Sequence, residues 1–472
     1  MDGFVCRIVG VNPSVVVEQQ SMLTMQVYNS ILENLVLPAG DFALRTSFMR
    51  HLRRLRREVQ LSEQQLNELQ ARRLEHVLQH ATQHAMYYRR FRRAGRKDVH
   101  DWLRSFPVLD KHILRERQHE LLTMHPNRLV KASSSGSSGM RSEVYMSRDE
   151  QSCHRATQVL FWEWAGYKLG MPIVQTGMTP ERGIVKGTKD KLLRTFYFPA
   201  FVPEEKPFQR ALDWASRKPQ VFLGGYASSL YVLSKIAKRT NQTIHFCSAC
   251  SWGDKLFDHY RNAIQDAFSA KVYETYGAAE GLMIAAQKDL PYMYLMTPNV
   301  YLELLDEHGN PVPDGEMGHV VVTSLVAKAM PLIRYKIGDL AIRLPKDAYP
   351  PQRELALPIL QKVIGRDTDI VRTANGKYMV VHSFTGIFEH IAQIHQFRVV
   401  QESLAGITIE YIPAKGFTEQ TLKMVAERIQ AHLREPDFAI HFCEVSHIPA
   451  SPSGKPQIIV SKLQPRAEIT AS

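Results

Sequence analysis

Residues 132–139 of the chain read Ala-Ser-Ser-Ser-Gly-Ser-Ser-Gly. Glycines let the backbone bend tightly and turn its N–H groups toward an anion, and serine hydroxyls add donors without bulk. This stretch can therefore form a phosphate-binding loop. Its composition alone favours a flexible Ser/Gly linker, and no Lys-Ser or Lys-Thr follows the last glycine, as it would in a Walker loop. The rest of the sequence decides between these interpretations.

Four further motifs follow the loop in order. They are YETYGAAE at 273–280, PLIRYKIGDL at 331–340, IGRDTD at 364–369 and PSGK at 452–455. The five motifs together resemble the superfamily of adenylate-forming enzymes, which contains acyl- and aryl-CoA ligases, peptide-synthetase adenylation domains and luciferases. Within it, residues 69–74, 87–89, 106–111 and 329–335 are similar to the phenylacetate–CoA ligase branch, with its capsular-polysaccharide (CapK-like) and coenzyme-synthetase relatives. The resemblance covers roughly residues 62–465.

The resemblance implies an AMP-forming carboxylic-acid ligase. Such an enzyme uses ATP and Mg²⁺ to make an acyl-adenylate, and then a thioester on CoA or on the phosphopantetheine of an acyl carrier protein. Tyr276, with Gly277, matches the adenine-stacking position, and Asp339 matches the acid at the ribose hydroxyls. Arg366 matches a nucleotide contact at the interdomain hinge. The loop around the ATP β- and γ-phosphates would consist of Ser134, Ser135, Gly136, Ser137, Ser138 and Gly139.

Two further matches concern charge at the reacting groups. Glu280 matches the carboxylate that holds Mg²⁺, and Lys455 matches the catalytic lysine of a mobile C-terminal domain. Attack of a carboxylate on the α-phosphate brings two anions together, so catalysis depends on placed positive charge. A glutamate supplies the hard oxygen that Mg²⁺ prefers, and a lysine supplies a flexible point charge. Ala279 and Thr368 depart from the family pattern. Relatives carry Thr or Ser at the position of Ala279 and Asp at the position of Thr368.

The acid-binding pocket is expected by position at Tyr226, Ala227, Ala249, Trp252, Gly281 and Met283, with Ala249 also near the adenine. An aromatic and apolar lining suits an aryl or hydrophobic acid, although core packing explains the aromatic residues almost as well. Residues 245–250 contain His245, Cys247 and Cys250, but the metal-binding positions of related proteins lie elsewhere, so no structural zinc is expected. The spacing of His76, His80 and His84 is more typical of an exposed helix face than of a metal site.

The fold class predicted is α/β with α+β elements. Short apolar strands alternate with helical stretches at 149–169, 223–239 and 255–268. Residues 300–305 and 318–325 predict an antiparallel hairpin, and a helix at 419–434 lies between two strands. A helix is predicted at residues 43–57 and another from Ser62 onward. Residues 38–41 are predicted to break the helical structure. We expect an N-terminal extension (1–61), a large domain with mixed sheets and a hairpin or barrel part (62–366), and a small C-terminal domain (367–472).

Charge and composition limit the partners. The net charge of +12 is concentrated in arginines at 45–57 and 89–97, which attract CoA phosphates or an acidic carrier protein. A non-thiol acceptor is the alternative, and a nucleic-acid-binding protein is disfavoured because no such motif is present. No segment predicts a signal peptide or a membrane span. Five scattered cysteines indicate reduced thiols and a cytoplasmic protein. The oligomeric state, a homodimer included, stays open.

Overall fold

The computed structural model describes residues 25–93, 95, 98–133, 143–177, 183–200, 204–366, 370–375, 377–388, 391–449 and 458–463. Its α-helices are α1 (Leu37–Leu44), α2 (Phe48–Glu58), α3 (Glu63–His84), α4 (Val99–Arg104), α5 (Lys111–Glu116), α6 (Gln118–Leu121), α7 (Arg148–Trp164), α8 (Gly183–Leu192), α9 (Lys206–Ser216), α10 (Ala227–Arg239), α11 (Asp258–Phe268), α12 (Val381–Phe388) and α13 (Glu419–Leu433).

The strands are β1 (Val130–Ser133), β2 (Glu143–Met146), β3 (Ile173–Gly177), β4 (Thr195–Pro199), β5 (Phe222–Gly225), β6 (Ser248–Ser251), β7 (Val272–Ala278), β8 (Leu282–Gln287), β9 (Met293–Leu295), β10 (Val300–Leu305), β11 (Met317–Ser324), β12 (Tyr335–Arg343), β13 (Ile359–Arg366), β14 (Ile370–Arg372), β15 (Tyr378–Val380), β16 (Ile394–Ser403), β17 (Gly406–Pro413), β18 (Ala439–Glu444) and β19 (Ile459–Ser461). The chain divides into two compact units, Met1–Arg56 with Ser152–Glu274 and Arg57–Gln151 with Thr275–Ser472.

The first unit contains a parallel sheet. Strands pair in the order β4-β3-β5-β6, and the first residues of β7 pair with β6. Helices α8, α9, α10 and α11 connect successive strands. Every residue of β5 and β6 is buried, as expected for strands covered on both faces. The predicted alternation of strands and helices is confirmed here.

Three predicted helices have other bounds. The stretch 223–239 begins as β5, and its helix starts only at Ala227; the stretch 255–268 becomes helical at Asp258. In the stretch 149–169 the helix ends at Trp164, two residues before Gly166, whose φ is +95°. A short, fully buried apolar run cannot be assigned to strand or helix by periodicity alone, which explains the wrong start at residue 223.

The predicted break at 38–41 is wrong. Residues 25–31 are helical, Leu32–Val36 form a π-turn in which the Leu37 N–H donates to the Leu32 carbonyl, and α1 follows directly. Pro38 directly follows this π-turn, and a π-turn is one of the distortions by which a helix accommodates an interrupted hydrogen-bond ladder. The predicted helix 43–57 is present but begins only at Phe48, because Arg45 adopts a φ of +52° and ends α1.

The second unit contains an antiparallel sheet. Its strand order is β10-β11-β12-β13-β9-β8, followed by the end of β7. The predicted hairpin is confirmed, with Val300 opposite Ser324 and Leu305 opposite His319. Helix α3 starts at the predicted capping box of Ser62 and Gln65, and its apolar side joins the core beneath the sheet.

A separate four-stranded sheet lies near the C-terminus. Its order is β18-β17-β16-β19, and α13 connects the parallel strands β17 and β18. The predicted strand–helix–strand element is confirmed, and with it the mixed α/β fold class with a C-terminal α/β element. The predicted domain boundaries at residues 61 and 366 stay predictions.

Candidate functional site

Glu280 lies on a tight turn between β7 and β8. Ala278 pairs with Leu282, and the Gly281 N–H donates to the Ala278 carbonyl at 3.1 Å. Gly281 has a φ of +82°, the left-handed conformation that a three-residue hairpin loop requires at its last position. Gly281 therefore closes the turn that presents Glu280.

The other predicted residues of this hairpin flank the turn. A Cβ on Gly277 would lie 2.5 Å from the Leu282 carbonyl oxygen and 3.5 Å from the Met283 sulfur. The two strands therefore approach too closely for any side chain at Gly277. The half-buried Met283 lies directly opposite it. The structure thus brings Gly277, Glu280, Gly281 and Met283 together in one hairpin.

The Glu280 carboxylate is held by a residue that sequence reasoning missed. The hydroxyl of Tyr335 donates to Glu280 Oε1 at 2.9 Å. Tyr335 is fully buried and Glu280 is only 6% exposed. A hydrogen bond to a charged acceptor is stronger than one between neutral groups, so Tyr335 orients the carboxylate. The two residues are 55 positions apart, and no local pattern relates them.

Three predicted nucleotide-site residues meet, one each from β7, β12 and β13. The Tyr276 hydroxyl donates to Asp339 Oδ2 at 2.9 Å. Asp339 and Arg366 are direct partners across β12 and β13, and Arg366 Nε lies 3.9 Å from Asp339 Oδ1. The structure therefore gathers one residue from each of three separate sequence motifs around a single carboxylate.

Burial, followed by the charge of Asp339, raises the pKa of Tyr276 well above its ordinary value, while Arg366 acts in the opposite direction. The phenol consequently stays protonated and remains a donor at neutral pH. Its ring is largely buried. The Tyr276–Asp339 pair is thus a fixed donor–acceptor contact across a wide pH range.

Arg334 ties β12 to the segment around Phe106. Its φ is +50°, and its guanidinium donates to the Phe106 carbonyl at 3.0 Å and pairs with Glu303 at 3.1 Å. Its carbonyl accepts from the Leu109 N–H at 2.9 Å. The segments 106–111 and 329–335, which carried the narrower family resemblance, are therefore bound to each other, and this contact positions Tyr335.

In the first unit, Tyr226 and Trp252 lie on loops that follow β5 and β6. The Tyr226 ring packs on Gly253, where a Cβ would come within 2.4 Å, and Trp252 packs on Gly224, where a Cβ would come within 2.6 Å. Trp252 also stacks on Trp162, with ring centroids 5.5 Å apart. Both side chains are half-buried, so each presents part of an aromatic surface.

A carboxylate organises the start of α10 beside Tyr226. Asp254 Oδ1 accepts from the Ala227 N–H at 2.6 Å, and Oδ2 accepts from the Ser228 N–H at 3.1 Å. Burial, with smaller effects of Tyr197 and Asp254, raises the pKa of Tyr226 to about 12. Ala227 and Ala249 are fully buried and belong to the apolar core of this unit.

Several predicted residues lie outside the described part of the chain: Ser134, Ser135, Gly136, Ser137, Ser138, Gly139, Thr368 and Lys455. Within the described ranges, no group of three or more His, Cys, Asp or Glu residues could hold a metal ion. His80 instead lies 3.1 Å from the Lys328 carbonyl oxygen. Burial raises the pKa of the Cys250 thiol, which opposes formation of a metal-binding thiolate.

None of the described helices is both long and apolar enough to cross a membrane.

The chain is similar in sequence to known proteins. Residues 371–462 match the CapK C-terminal domain. Protein CapK of Staphylococcus aureus is 21% identical over 414 residues, which are 84% of this chain and 90% of that protein. Phenylacetate-coenzyme A ligase of Pseudomonas putida is 32% identical over 133 residues, 26% of this chain and 28% of the relative.

A solved structure supports the fold over most of the length. The crystal structure of 2-hydroxyisobutyryl-CoA ligase in the postadenylation state, in complex with 2-HIB-AMP, has a TM-score of 0.66. It is 19% identical and covers 86% of this chain and 91% of its own. This chain is thus similar to the CapK-like branch of the adenylate-forming superfamily over 84% of its length in sequence, and it shares the fold of a solved CoA ligase.

Proposed function

We propose that the chain is an AMP-forming carboxylic-acid ligase, which converts an acid and ATP into an acyl-adenylate and pyrophosphate. The main support for the proposal is the cluster of Tyr276, Asp339 and Arg366. The Tyr276 hydroxyl lies 2.9 Å from Asp339 Oδ2, and Arg366 Nε lies 3.9 Å from Asp339 Oδ1. Asp339 would accept hydrogen bonds from the ribose hydroxyls. Tyr276 and Arg366 restrict its orientation before the nucleotide arrives, so less entropy is lost on binding.

Glu280 is the proposed ligand of Mg²⁺. One carboxylate fits this ion, because Mg²⁺ at nucleotide sites takes one or two protein carboxylates and completes its shell with phosphates and water. When bound, Mg²⁺ would supply positive charge to the ATP phosphates. The part played by the chain is to hold Glu280 in place through the Tyr335 hydroxyl and the Gly281 turn.

Lys455 and the loop Ser134–Gly139 complete the proposal from sequence. Lys455 would contact both the attacking carboxylate and the α-phosphate, offsetting their repulsion. Serine hydroxyls and backbone N–H groups of the loop would hold the β- and γ-phosphates. These roles rest on the motif resemblance.

The proposed acid is aryl or hydrophobic, and the proposed acceptor is a phosphopantetheine thiol, with CoA favoured over a carrier protein. The partly exposed rings of Tyr226 and Trp252 support the first choice, since ligand pockets are lined mainly by aromatic and apolar groups. Both ligases described above are named CoA ligases, which supports CoA as the acceptor. Transfer to a non-thiol acceptor remains the alternative.

Product analysis separates these acceptors. The full chain is incubated with ATP, Mg²⁺ and a panel of aryl and fatty acids, with and without CoA, and the products are identified by mass spectrometry. We expect acyl-adenylate and pyrophosphate without CoA, and acyl-CoA together with AMP when CoA is added. Acyl-adenylate that CoA leaves unchanged would contradict the thioester step alone. Absence of both acyl-adenylate and pyrophosphate with every acid would contradict adenylation.

A further inference from the structure

Glu150 is a buried carboxylate in the first turn of α7 that is not one of the proposed nucleotide or metal ligands. It is only 5% exposed. Oε2 accepts a hydrogen bond from the Ser147 N–H, and Oε1 accepts from the N–H groups of Lys328 and, at 2.8 Å, of Ala329. Burying a carboxylate is costly unless it is hydrogen-bonded, and these three donors offset the cost. Glu150 therefore joins its own helix to a segment 178 residues further along the chain.

The start of α7 follows closely after the proposed phosphate loop at residues 134–139. Strands β1 and β2 pair with Ser133 opposite Glu143, so the chain enters and leaves the stretch between them at neighbouring positions. β2 leads into Ser147, whose hydroxyl accepts from the Glu150 N–H at 3.2 Å. Together with the bond from the Ser147 N–H to the carboxylate, this forms a capping box, which stabilises the start of a helix. Glu150 thus fixes the connection between β2 and α7.

The segment that contains Lys328 and Ala329 is held by other contacts as well. The Lys328 carbonyl accepts from the Thr123 hydroxyl at 2.7 Å and lies 3.1 Å from His80 Nε2. The Ala329 carbonyl accepts from the Thr123 N–H at 3.0 Å. Because these contacts hold the segment in place, its two N–H groups are fixed donors for the Glu150 carboxylate.

The same segment leads to the proposed metal ligand. Tyr335 lies six residues after Ala329, and its hydroxyl holds Glu280. Val144 on β2 and Tyr335 belong to one buried apolar cluster, so apolar packing and the Glu150 hydrogen bonds connect the same two regions. Apolar packing is non-directional, whereas hydrogen bonds to a carboxylate have a preferred geometry. The position of β2 relative to the Tyr335–Glu280 pair therefore depends on Glu150.

We propose that Glu150 is a positioning residue for ATP, which holds the phosphate loop in register with the Tyr335–Glu280 pair. The inference rests on the proposed function, in which that loop binds the β- and γ-phosphates. AMP lacks both of these phosphates, and so does the acid. Loss of the Glu150 hydrogen bonds should therefore weaken the binding of ATP and leave the binding of AMP and of the acid unchanged. A residue that only stabilises the fold would not discriminate between ATP and AMP.

Calorimetric titration of the full chain with ATP and with AMP, in the presence of Mg²⁺, tests the proposal on the variant Glu150→Gln. An amide offers one acceptor oxygen where a carboxylate offers two, so one of the two connected segments loses its partner. We expect the Kd for ATP to rise about 10- to 100-fold, the usual cost of losing a group that orients a binding residue, and the Kd for AMP to stay as in the wild type. In pyrophosphate exchange, the apparent KM for MgATP should rise while that for the acid stays constant.

Ser147→Ala is a milder second variant. It removes only the hydroxyl that accepts from the Glu150 N–H and leaves the carboxylate in place. It should raise the Kd for ATP by a smaller factor than Glu150→Gln, again without changing the Kd for AMP. If Glu150→Gln does not fold, the ratio of the two Kd values in Ser147→Ala decides the question.

Asp289→Asn is the matched control, since it makes the same carboxylate-to-amide change elsewhere. Asp289 follows the end of β8, and its carboxylate accepts from the Glu354 N–H at 3.0 Å and from the Tyr294 hydroxyl at 3.2 Å. Its Kd values for ATP and AMP should both match those of the wild type.

Two results would overturn this inference alone: equal changes of the Kd values for ATP and AMP in Glu150→Gln, or the same selective loss of ATP binding in Asp289→Asn. An unchanged Kd for ATP in a folded Glu150→Gln counts as the first of these. Failure of the proposed function has a different signature, namely absence of pyrophosphate exchange in the wild type with every acid.

Discussion

At the residue scale, the Tyr335–Glu280 contact is the most informative feature of the candidate site. Removing the hydroxyl with Tyr335→Phe leaves the ring packing intact but removes a hydrogen bond that orients the carboxylate. We expect pyrophosphate exchange to fall about 10- to 100-fold, the usual cost of losing a group that orients a metal ligand. The Mg²⁺ concentration for half-maximal activity should rise, which a packing defect would not cause.

The control for this variant is Tyr294→Phe. Tyr294 is also fully buried, and its hydroxyl donates to a different carboxylate, Asp289, at 3.2 Å. Loss of the Tyr294 hydroxyl should change the stability of the protein but leave the Mg²⁺ dependence of pyrophosphate exchange as in the wild type. If both variants shift the Mg²⁺ dependence equally, Tyr335 has no specific link to the metal.

Lys455 allows the two half-reactions to be separated. Lys455→Ala should lower adenylation about 100-fold or more, because it removes the positive charge from the reacting phosphate. Thioester formation from a supplied acyl-adenylate should stay near the wild-type rate, since that step involves no attack on phosphate. Single-turnover assays of each step measure this, and equal loss of both would refute the assigned role.

Residue types could be predicted from sequence, but their pairings could not. The motifs identified Tyr276, Asp339 and Arg366 separately, and the structure shows that Tyr276 and Arg366 both approach the carboxylate of Asp339. Tyr335 lay inside a quoted motif but had no predicted role, because its contact with Glu280 spans 55 residues. Such contacts depend on the order of the strands in the sheet, which local residue spacing does not indicate.

At the element scale, the β7–β8 hairpin depends on the close approach at Gly277. Gly277→Ala would place a Cβ 2.5 Å from the Leu282 carbonyl oxygen, and this backbone atom cannot move aside as a side chain could. We expect destabilisation of about 1–3 kcal/mol, measured as a thermal midpoint lower by at least about 2 °C.

Gly40→Ala is the matched substitution at an open position. A Cβ on Gly40 meets nothing within 4 Å, and Gly40 lies inside α1. Alanine is the better helix former by about 1 kcal/mol, so the thermal midpoint should stay constant or rise. A midpoint for Gly277→Ala that equals that of Gly40→Ala would show that the hairpin tolerates a side chain there.

Elements with strong local signals could be predicted, and those that depend on their neighbours could not. The hairpin of β10 and β11 and the capping box of α3 were correct because turn residues and caps act locally. The break predicted at Pro38 failed because a π-turn precedes it. Phe222–Gly225 was assigned in part to a helix because its burial as a strand depends on β3 and β6.

At the scale of the whole molecule, stability should depend on pH through His154. Burial, with a smaller effect of His51, lowers its pKa to about 4, and its buried Nδ1 has no hydrogen-bond partner among the described residues. The unfolded chain takes up this proton near pH 6.5, and the folded chain only near pH 4. The stability present above pH 6.5 is therefore lost as the pH falls toward 4.

Thermal midpoints between about pH 7.5 and 4.5 test this expectation. His154→Gln cannot take up the proton, so its free energy of unfolding should fall less with acid than that of the wild type, by a difference on the order of 1–3 kcal/mol. Its thermal midpoint should therefore also fall less steeply. His395→Gln, at an exposed position on β16, should follow the wild type. Identical slopes for all three proteins would show that His154 is not kept neutral by the fold.

The central claim is adenylation of a carboxylic acid at the Tyr276–Asp339–Arg366 cluster. Its most direct test is the exchange of labelled pyrophosphate into ATP, measured for the wild type and for Asp339→Ala across aryl and fatty acids. We predict exchange that requires an acid, and at least about tenfold less exchange in the variant, because the ribose hydroxyls lose a charged acceptor. Exchange with no acid of the panel, or exchange that Asp339→Ala leaves unchanged, would contradict the account.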